Sequence, residues 1–173
     1  MVKKIFLFSA LFLIFLSAAN AQEIFRKGTQ FVNAGIGLGS YIPVEVSYER
    51  SIIDGLIKAR KGPNGAIGVG AYLGYYGDTA YDWRYNHYVL GARGAFHYQF
   101  IPKLDTYGGL MLGYNIATVK WVGDGESVGT ASGSAFGYSV FVGARYLFKP
   151  NLGVYSEIGY GIAYLSAGVT FKF

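Results

Sequence analysis

An eight-stranded antiparallel β-barrel that spans a membrane is the fold this sequence predicts, and three observations predict it. The first is composition. Apolar residues make up 52% of the 173-residue chain, aromatics 18% and charges 14%, yet no apolar run after the leader is long enough for a transmembrane helix. The second is a period-2 alternation of apolar and polar residues in segment after segment, bounded by turn residues. The third is the number of such segments, eight, the smallest common size for a closed membrane barrel. In hydrocarbon every backbone N–H and C=O needs a partner within the protein, and a closed barrel supplies one without leaving a strand edge open. The 26 glycines and 16 tyrosines agree: glycine fits a crowded interior, and tyrosine suits the membrane–water boundary.

The chain opens with a segment to be set apart from the fold. Met1-Val2-Lys3-Lys4 is basic, Ile5 to Leu16 is nearly all apolar, and Ser17-Ala18-Ala19-Asn20-Ala21 ends in small residues. This is a cleavable secretory signal peptide, residues 1–21, leaving 22–173 as one barrel domain. No Cys follows it, so no lipoprotein anchor is expected, and the absence of Cys elsewhere leaves stability to packing and hydrogen bonds. Loss of Lys3 and Lys4 reduces the formal net charge from +5 to +3, too mild to suggest a nucleic-acid partner.

The eight segments lie near 28–39, 43–52, 64–77, 86–100, 103–118, 133–148, 151–161 and 162–173. In the fourth, Tyr88, Leu90, Ala92, Phe96, Tyr98 and Phe100 share one parity, against Arg93, His97 and Gln99. The fifth sets Leu110, Leu112, Tyr114 and Ile116 against Asp105, Met111 and Asn115; the sixth sets Phe136, Tyr138, Val140, Val142, Ala144, Tyr146 and Phe148 against Ser139 and Arg145. The seventh opposes Leu152, Val154, Ile158 and Tyr160 to Tyr155 and Glu157. The apolar sets are assigned to lipid and the polar sets to the lumen.

Turns fix the register. The turn at 101–103 sets His97 opposite Tyr107 and Gln99 opposite Asp105, the turn at 149–151 sets Arg145 opposite Tyr155, and Gly161-Ile162 suits a two-residue hairpin. Both termini are then expected in the periplasm with these short Pro turns, and the outer loops fall at 40–42, 78–85, 119–132 and 161–162. Ile53 to Pro63, with Lys58, Arg60 and Lys61, is long for a periplasmic turn. It is read as a solvated loop, with contact to an anionic envelope component as the sharper alternative.

The last strand carries Val169, Phe171 and Phe173 on its lipid face. Outer-membrane barrels in general end this way, on a signal that the barrel insertion machinery recognises. The segments Pro43-Val-Glu-Val-Ser-Tyr-Glu49, Gly65-Ala-Ile-Gly-Val-Gly-Ala-Tyr-Leu-Gly74, Lys103-Leu-Asp-Thr-Tyr-Gly-Gly-Leu-Met-Leu-Gly-Tyr114 and Phe141-Val-Gly-Ala-Arg-Tyr-Leu-Phe148 carry a wider likeness. Through them the chain resembles the small outer-membrane β-barrel family that shares the architecture of OmpA's membrane domain and OmpX. The resemblance covers essentially all of 28–173. It implies a bacterial, Gram-negative outer-membrane location and an eight-stranded barrel, but no single activity.

Inward projection gathers Glu45, Glu49, Arg93, His97, Asp105, Arg145, Glu157 and Lys172 in the lumen. Four acids face three bases and a histidine, the near balance that a packed polar core demands, because an unpaired charge there costs several kcal/mol. The expectation is a plug; the alternative is a narrow gated solute path, opened by swapping ion pairs. Catalysis is disfavoured. A lipid-modifying hydrolase needs a Ser–His pair near the outer rim, and neither His87 nor His97 has such a serine in a recognisable motif. Metal and cofactor sites are not expected: Asp78, Asp82 and Asn86 supply too few oxygens for a hard cation, Gly123-Asp124-Gly125-Glu126 reads as a flexible turn, and the G-x-G patterns are strand glycines. Asp82, Trp83, Arg84 and Tyr85 form the one outward segment with recognition chemistry. The blander reading makes Trp83, Tyr85 and Tyr88 part of an outer aromatic girdle with Trp121 and Tyr138. The sequence thus reads as a non-enzymatic barrel with outer-membrane lipid as its solvent and an unnamed surface partner.

Overall fold

The computed structural model describes residues 24–39, 41–59, 62–123, 129–160 and 163–173. The signal peptide read from residues 1–21 lies outside them. Eight strands close a barrel: β1 (Gln30–Leu38), β2 (Val44–Ile53), β5 (Ala66–Ala80), β6 (Trp83–Ile101), β7 (Leu104–Trp121), β8 (Thr130–Leu147), β9 (Leu152–Tyr160) and β10 (Leu165–Lys172). The order around the barrel is β1-β10-β9-β8-β7-β6-β5-β2, with β1 pairing β2 to close it, so every neighbour in sequence is an antiparallel neighbour in space. The eight-stranded up-and-down architecture expected from the alternation is the one observed.

Closure follows from the two-faced strands. Leu73, Leu90, Leu110, Leu112, Val142 and Ile158 point outward and are each more than half exposed. Their opposite-parity neighbours Tyr72, Val89, Met111, Phe141 and Glu157 are buried inside. Arg145 pairs with Tyr155 and His97 with Tyr107, the register that the two Pro turns predict. Ile158 pairs with Leu165, also as a tight β9–β10 hairpin requires; residues 161–162 themselves lie outside the described set. Gln99 departs from the expectation. A register shift between Tyr98 and Ile101 removes it from its place opposite Asp105, because the turn residue Lys103 adopts φ 66° after Pro102 and the strand bulges to meet it. Gln99 Oε1 instead accepts from the backbone N–H of Ile24 at 2.7 Å.

Two segments read as loops are β-structure. Between β2 and β5, the short strands β3 (Ile57–Ala59) and β4 (Gly62–Asn64) pair as a small hairpin, so this connection is an arm rather than a simple loop. Residues 60–61, and the side chains that the basic reading depended on, lie outside the described set. Residues 78–85 correct the second expectation. Asp78 pairs with Tyr85, Thr79 with Arg84 and Ala80 with Trp83, leaving a two-residue turn at Tyr81-Asp82. Both turn residues have positive φ, 49° and 64°, as a type I′ hairpin needs. Tyr81 is an unusual residue for that conformation, which is why no turn signal stood there. The 119–132 loop also shortens, since β7 runs to Trp121 and β8 starts at Thr130; most of Gly123–Glu126 lies outside the described residues.

The barrel is therefore lopsided. β5 to β8 are 15, 19, 18 and 18 residues long, whereas β9 and β10 are 9 and 8. The described β8–β9 pairing begins at Val140↔Tyr160. Above that level the four long strands continue as an open sheet.

Candidate functional site: the lumen and its mouth

The lumen is filled in layers, each built by inward positions of several strands. Nearest the end that carries both termini, Arg145 is fully buried and donates to the Glu49 carboxylate and, at 3.2 Å, to Asp105. His97 bridges the same two acids: Nε2 lies 2.9 Å from Glu49 and Nδ1 lies 3.0 Å from Asp105. Both ring nitrogens face carboxylate oxygens, and only the doubly protonated imidazolium can donate to both. The quartet then holds two positive and two negative groups. Its guanidinium also lies over the rings of Phe31 and Tyr107, 4.7 and 4.3 Å away.

One layer up, Arg93 grips Glu157 through two contacts of 2.7 and 3.4 Å, Tyr107 donates to the same carboxylate at 2.9 Å, and Phe141 lies 4.1 Å beneath the guanidinium. Beside it, Thr170 donates to Asn33 at 2.7 Å and Asn33 donates to Ser47 at 3.1 Å, all three fully or nearly buried. The Nε atoms of Arg93 and Arg145 have no hydrogen-bond partner among the described residues.

Glu45 shares the lumen with the arginines and lines a cavity with Arg93, but among the described residues it forms no ion pair with either arginine. Its carboxylate accepts from three hydroxyls: Tyr72 at 2.9 Å, Tyr155 at 2.8 Å and Ser166 at 3.0 Å. Lys172 stands apart as well. It is half-buried at the end of β10, opposite Phe31, and enters none of these ion pairs.

A segment that the periodicity does not reach closes the terminal end. Ile24 and Phe25 precede β1 yet are 4% and 3% exposed, packed with Phe31, Ala66 and Leu147. Phe25 stacks on His97 with ring centroids 3.7 Å apart. Its segment is tied down by Gly28 N–H to Ser51 O and Lys27 N–H to Asp54, both 2.9 Å. Gly68 makes room for it: a Cβ there would meet Phe25 at 2.9 Å and Glu49 at 2.7 Å. The one sequence signal for this cork was an apolar pair just ahead of the first strand.

Above the polar layers the lumen opens into a mouth. Tyr41, Tyr76 and His87 form a continuous stack, with centroid spacings of 5.1 and 4.5 Å. His87 Nδ1 lies 3.2 Å from the Asn115 amide oxygen, and Asn115 donates to the Tyr76 hydroxyl at 3.3 Å. Trp83 and Trp121 pair edge to face, 5.2 Å apart. Trp83, Tyr85 and Trp121 share the inward parity of Val89 and Arg93, so they line the concave side of the open sheet rather than an outer girdle. Tyr88 and Tyr138, of the other parity, do face outward. Of the proposed contact residues, Asp82 is in the hairpin turn, Trp83 and Tyr85 are on the concave face, and Arg84 is on the convex one. Asp78 and Asn86 sit in strands opposite Tyr85 and Gly77 and do not share a loop.

No protein-family model matches this chain and no curated protein does. Solved structures do match. Neisserial surface protein A is 19% identical, with 84% of this chain and 94% of that one covered and a TM-score of 0.55. Ail, the attachment invasion locus protein of Yersinia pestis, is 11% identical over 85% of this chain and 99% of that one, with a TM-score of 0.52. A de novo designed transmembrane β-barrel is 16% identical over 86% and 98%, also at 0.52. The fold is that of the small eight-stranded outer-membrane barrels. A designed protein shares this fold with natural surface proteins, so the site and not the fold has to carry any functional conclusion.

Proposed function

We propose that the chain is an integral outer-membrane barrel, closed to solutes and non-enzymatic, whose open β5–β8 sheet is a surface-contact element. The observation that carries the contact reading is β8. Every residue from Thr130 to Tyr138 is exposed, and among the described residues this stretch pairs with β7 on one side and with no strand on the other. The segment Thr-Ala-Ser-Gly-Ser-Ala-Phe-Gly-Tyr has no charge and no proline, the features by which most proteins block a free strand edge. Its unpaired N–H and C=O groups suit an added strand from a partner.

Membrane residence is supported by the outward face. Tyr138 on β8 and Phe148 just past its end are ten residue steps apart, roughly 33 Å of strand, which at a tilt of about 40° is roughly the 25 Å apolar band of such barrels. Val169, Phe171 and Phe173 are outward and 54%, 39% and 64% exposed, an arrangement suited to recognition by the insertion machinery. Closure is supported by the charged layers and the cork, whose side chains are buried inside the end of the barrel that carries the termini. A non-enzymatic role is supported by the histidines: both nitrogens of His97 are engaged, and His87 meets an amide and a tyrosine ring.

The purified barrel, shown to be folded by its change in gel mobility on heating, is expected to give no steady conductance in a planar bilayer. A reproducible single-channel current would refute closure. Cells producing the barrel are expected to attach to protein-coated surfaces better than cells without it, and Ala135→Lys, which puts a charge on the free edge, is expected to abolish the gain while leaving the gel shift unchanged. Equal attachment with and without the barrel sinks the contact reading.

A further inference from the structure

The charges inside the barrel cancel layer by layer, except at the upper face. Glu49 and Asp105 are matched by Arg145 and His97, and Glu157 by Arg93. Among the described residues, Glu45, 5% exposed, is held by uncharged hydroxyls alone. Three hydroxyl donors satisfy a carboxylate's hydrogen bonding in part but do not neutralise it, and a bare buried charge is costly. Glu45 also lines a cavity of about 30 Å³, together with Glu157, Ser139 and Ser166. That is about the room one water takes, and it is also enough for an ammonium group. Arg93 borders the same cavity, but its charge is committed to Glu157.

Met111 lines this cavity and also a second, of about 210 Å³, that lies toward the mouth between Tyr76, Val89, Asn115 and Gly137. Its inward-facing lining is Tyr76, Val89, Met111 and Asn115, and Tyr76 is also the middle ring of the Tyr41–Tyr76–His87 stack. A buried carboxylate with an apolar side chain and a ring beside it suits an organic ammonium: the carboxylate takes the N–H donors while the ring face takes the adjoining positive charge.

We propose that the mouth binds a small primary amine, its ammonium on Glu45 and its apolar body between Val89, Met111 and Tyr76. The site is separate from the free edge of β8 and stands whether or not that edge meets a partner.

The test uses the barrel refolded in a non-ionic detergent, with Met and Val methyl groups isotope-labelled, and titrated with benzylamine, benzyl alcohol and benzoate. Benzylamine is expected to shift the Met111 and Val89 methyl signals saturably and to bind about tenfold tighter than benzyl alcohol, the advantage of a charge-assisted hydrogen bond over a neutral one. Benzoate is expected not to bind. In Glu45→Gln, checked for folding by the heat-induced gel shift, benzylamine is expected to fall to the level of the alcohol. Equal binding of amine and alcohol by the unaltered barrel overturns the proposal even where the variant does not fold. Saturable shifts from neither compound overturn it, and so does a folded Glu45→Gln that keeps the tenfold preference.

Discussion

The two ends of this barrel are built on opposite principles. The end carrying the termini is dense and over-determined. Arg145 is fully buried, is held by two carboxylates and lies over two rings, and a stretch ahead of the first strand folds in to cover the layer. The mouth end is a four-stranded sheet with little on either side. A Cβ added at Gly133 or Gly137 would touch nothing within 4 Å, whereas one at Gly70 would lie 1.8 Å from the Tyr48 carbonyl oxygen. The lesson is that stability and display are divided along the barrel axis, so substitutions at the two ends should differ in kind as well as in size.

The largest expected effect breaks the dense end. Arg145→Leu strips Glu49 and Asp105 of their shared donor and leaves two buried carboxylates with only His97 between them. Removing one member of a buried ion pair costs about 3–5 kcal/mol. The expected result is a lower urea midpoint for unfolding of the refolded barrel, with a matching loss of the heat-induced gel shift at a lower temperature. An unchanged midpoint would mean that the quartet contributes nothing beyond filling space. Replacement of a mouth residue such as Tyr85 should leave the midpoint where it was.

Phe25→Ala comes next. The side chain is 3% exposed and stacked on His97, and truncating a buried Phe typically costs about 3 kcal/mol. This variant separates two contributions to closure. Loss of the cork uncovers the quartet without altering it, so the barrel should lose stability and still pass no current. Current appearing in Phe25→Ala would place the barrier to solutes in the cork rather than in the charged layers.

How much of this was legible in the sequence follows the same division. Period-2 alternation is strongest where one face is packed and the other is apolar and exposed, and there it placed Glu49, Arg93, His97, Asp105, Arg145 and Glu157 on the inner face, with the expected register at His97 and Arg145 but not at Gln99. It could not say which acid meets which base. Arg145 reaches Glu49 across the lumen from 96 residues away, and Glu45 is instead met by Tyr72, Tyr155 and Ser166, the last 121 residues away in sequence. Hydroxyl partners leave no charge pattern to read. Ile24 and Phe25 were missed because two residues carry no period, and Lys172 was included because parity says nothing about height along the axis. In the open sheet alternation loses its meaning. With both sides of the strands exposed, Trp83 and Tyr85 could be read as loop or girdle although they continue the ladder of β6.

The smallest expected effect tests that last region. Tyr81 is 96% exposed and holds φ 49° in the β5–β6 turn. A left-handed backbone costs a non-glycine residue roughly 1–2 kcal/mol, offset in part by the freedom that glycine loses on folding. Tyr81→Gly should therefore stabilise the hairpin by about 0.5–1 kcal/mol. Because the turn lies beyond the packed layers, the gain should appear as slower amide hydrogen exchange at residues 78–85, with the global urea midpoint unmoved. If the midpoint rises by the same amount, the hairpin unfolds together with the barrel, and the division into a dense base and an independent sheet fails. If exchange alone slows, the sheet is a separate cooperative unit, free to be ordered by whatever it contacts.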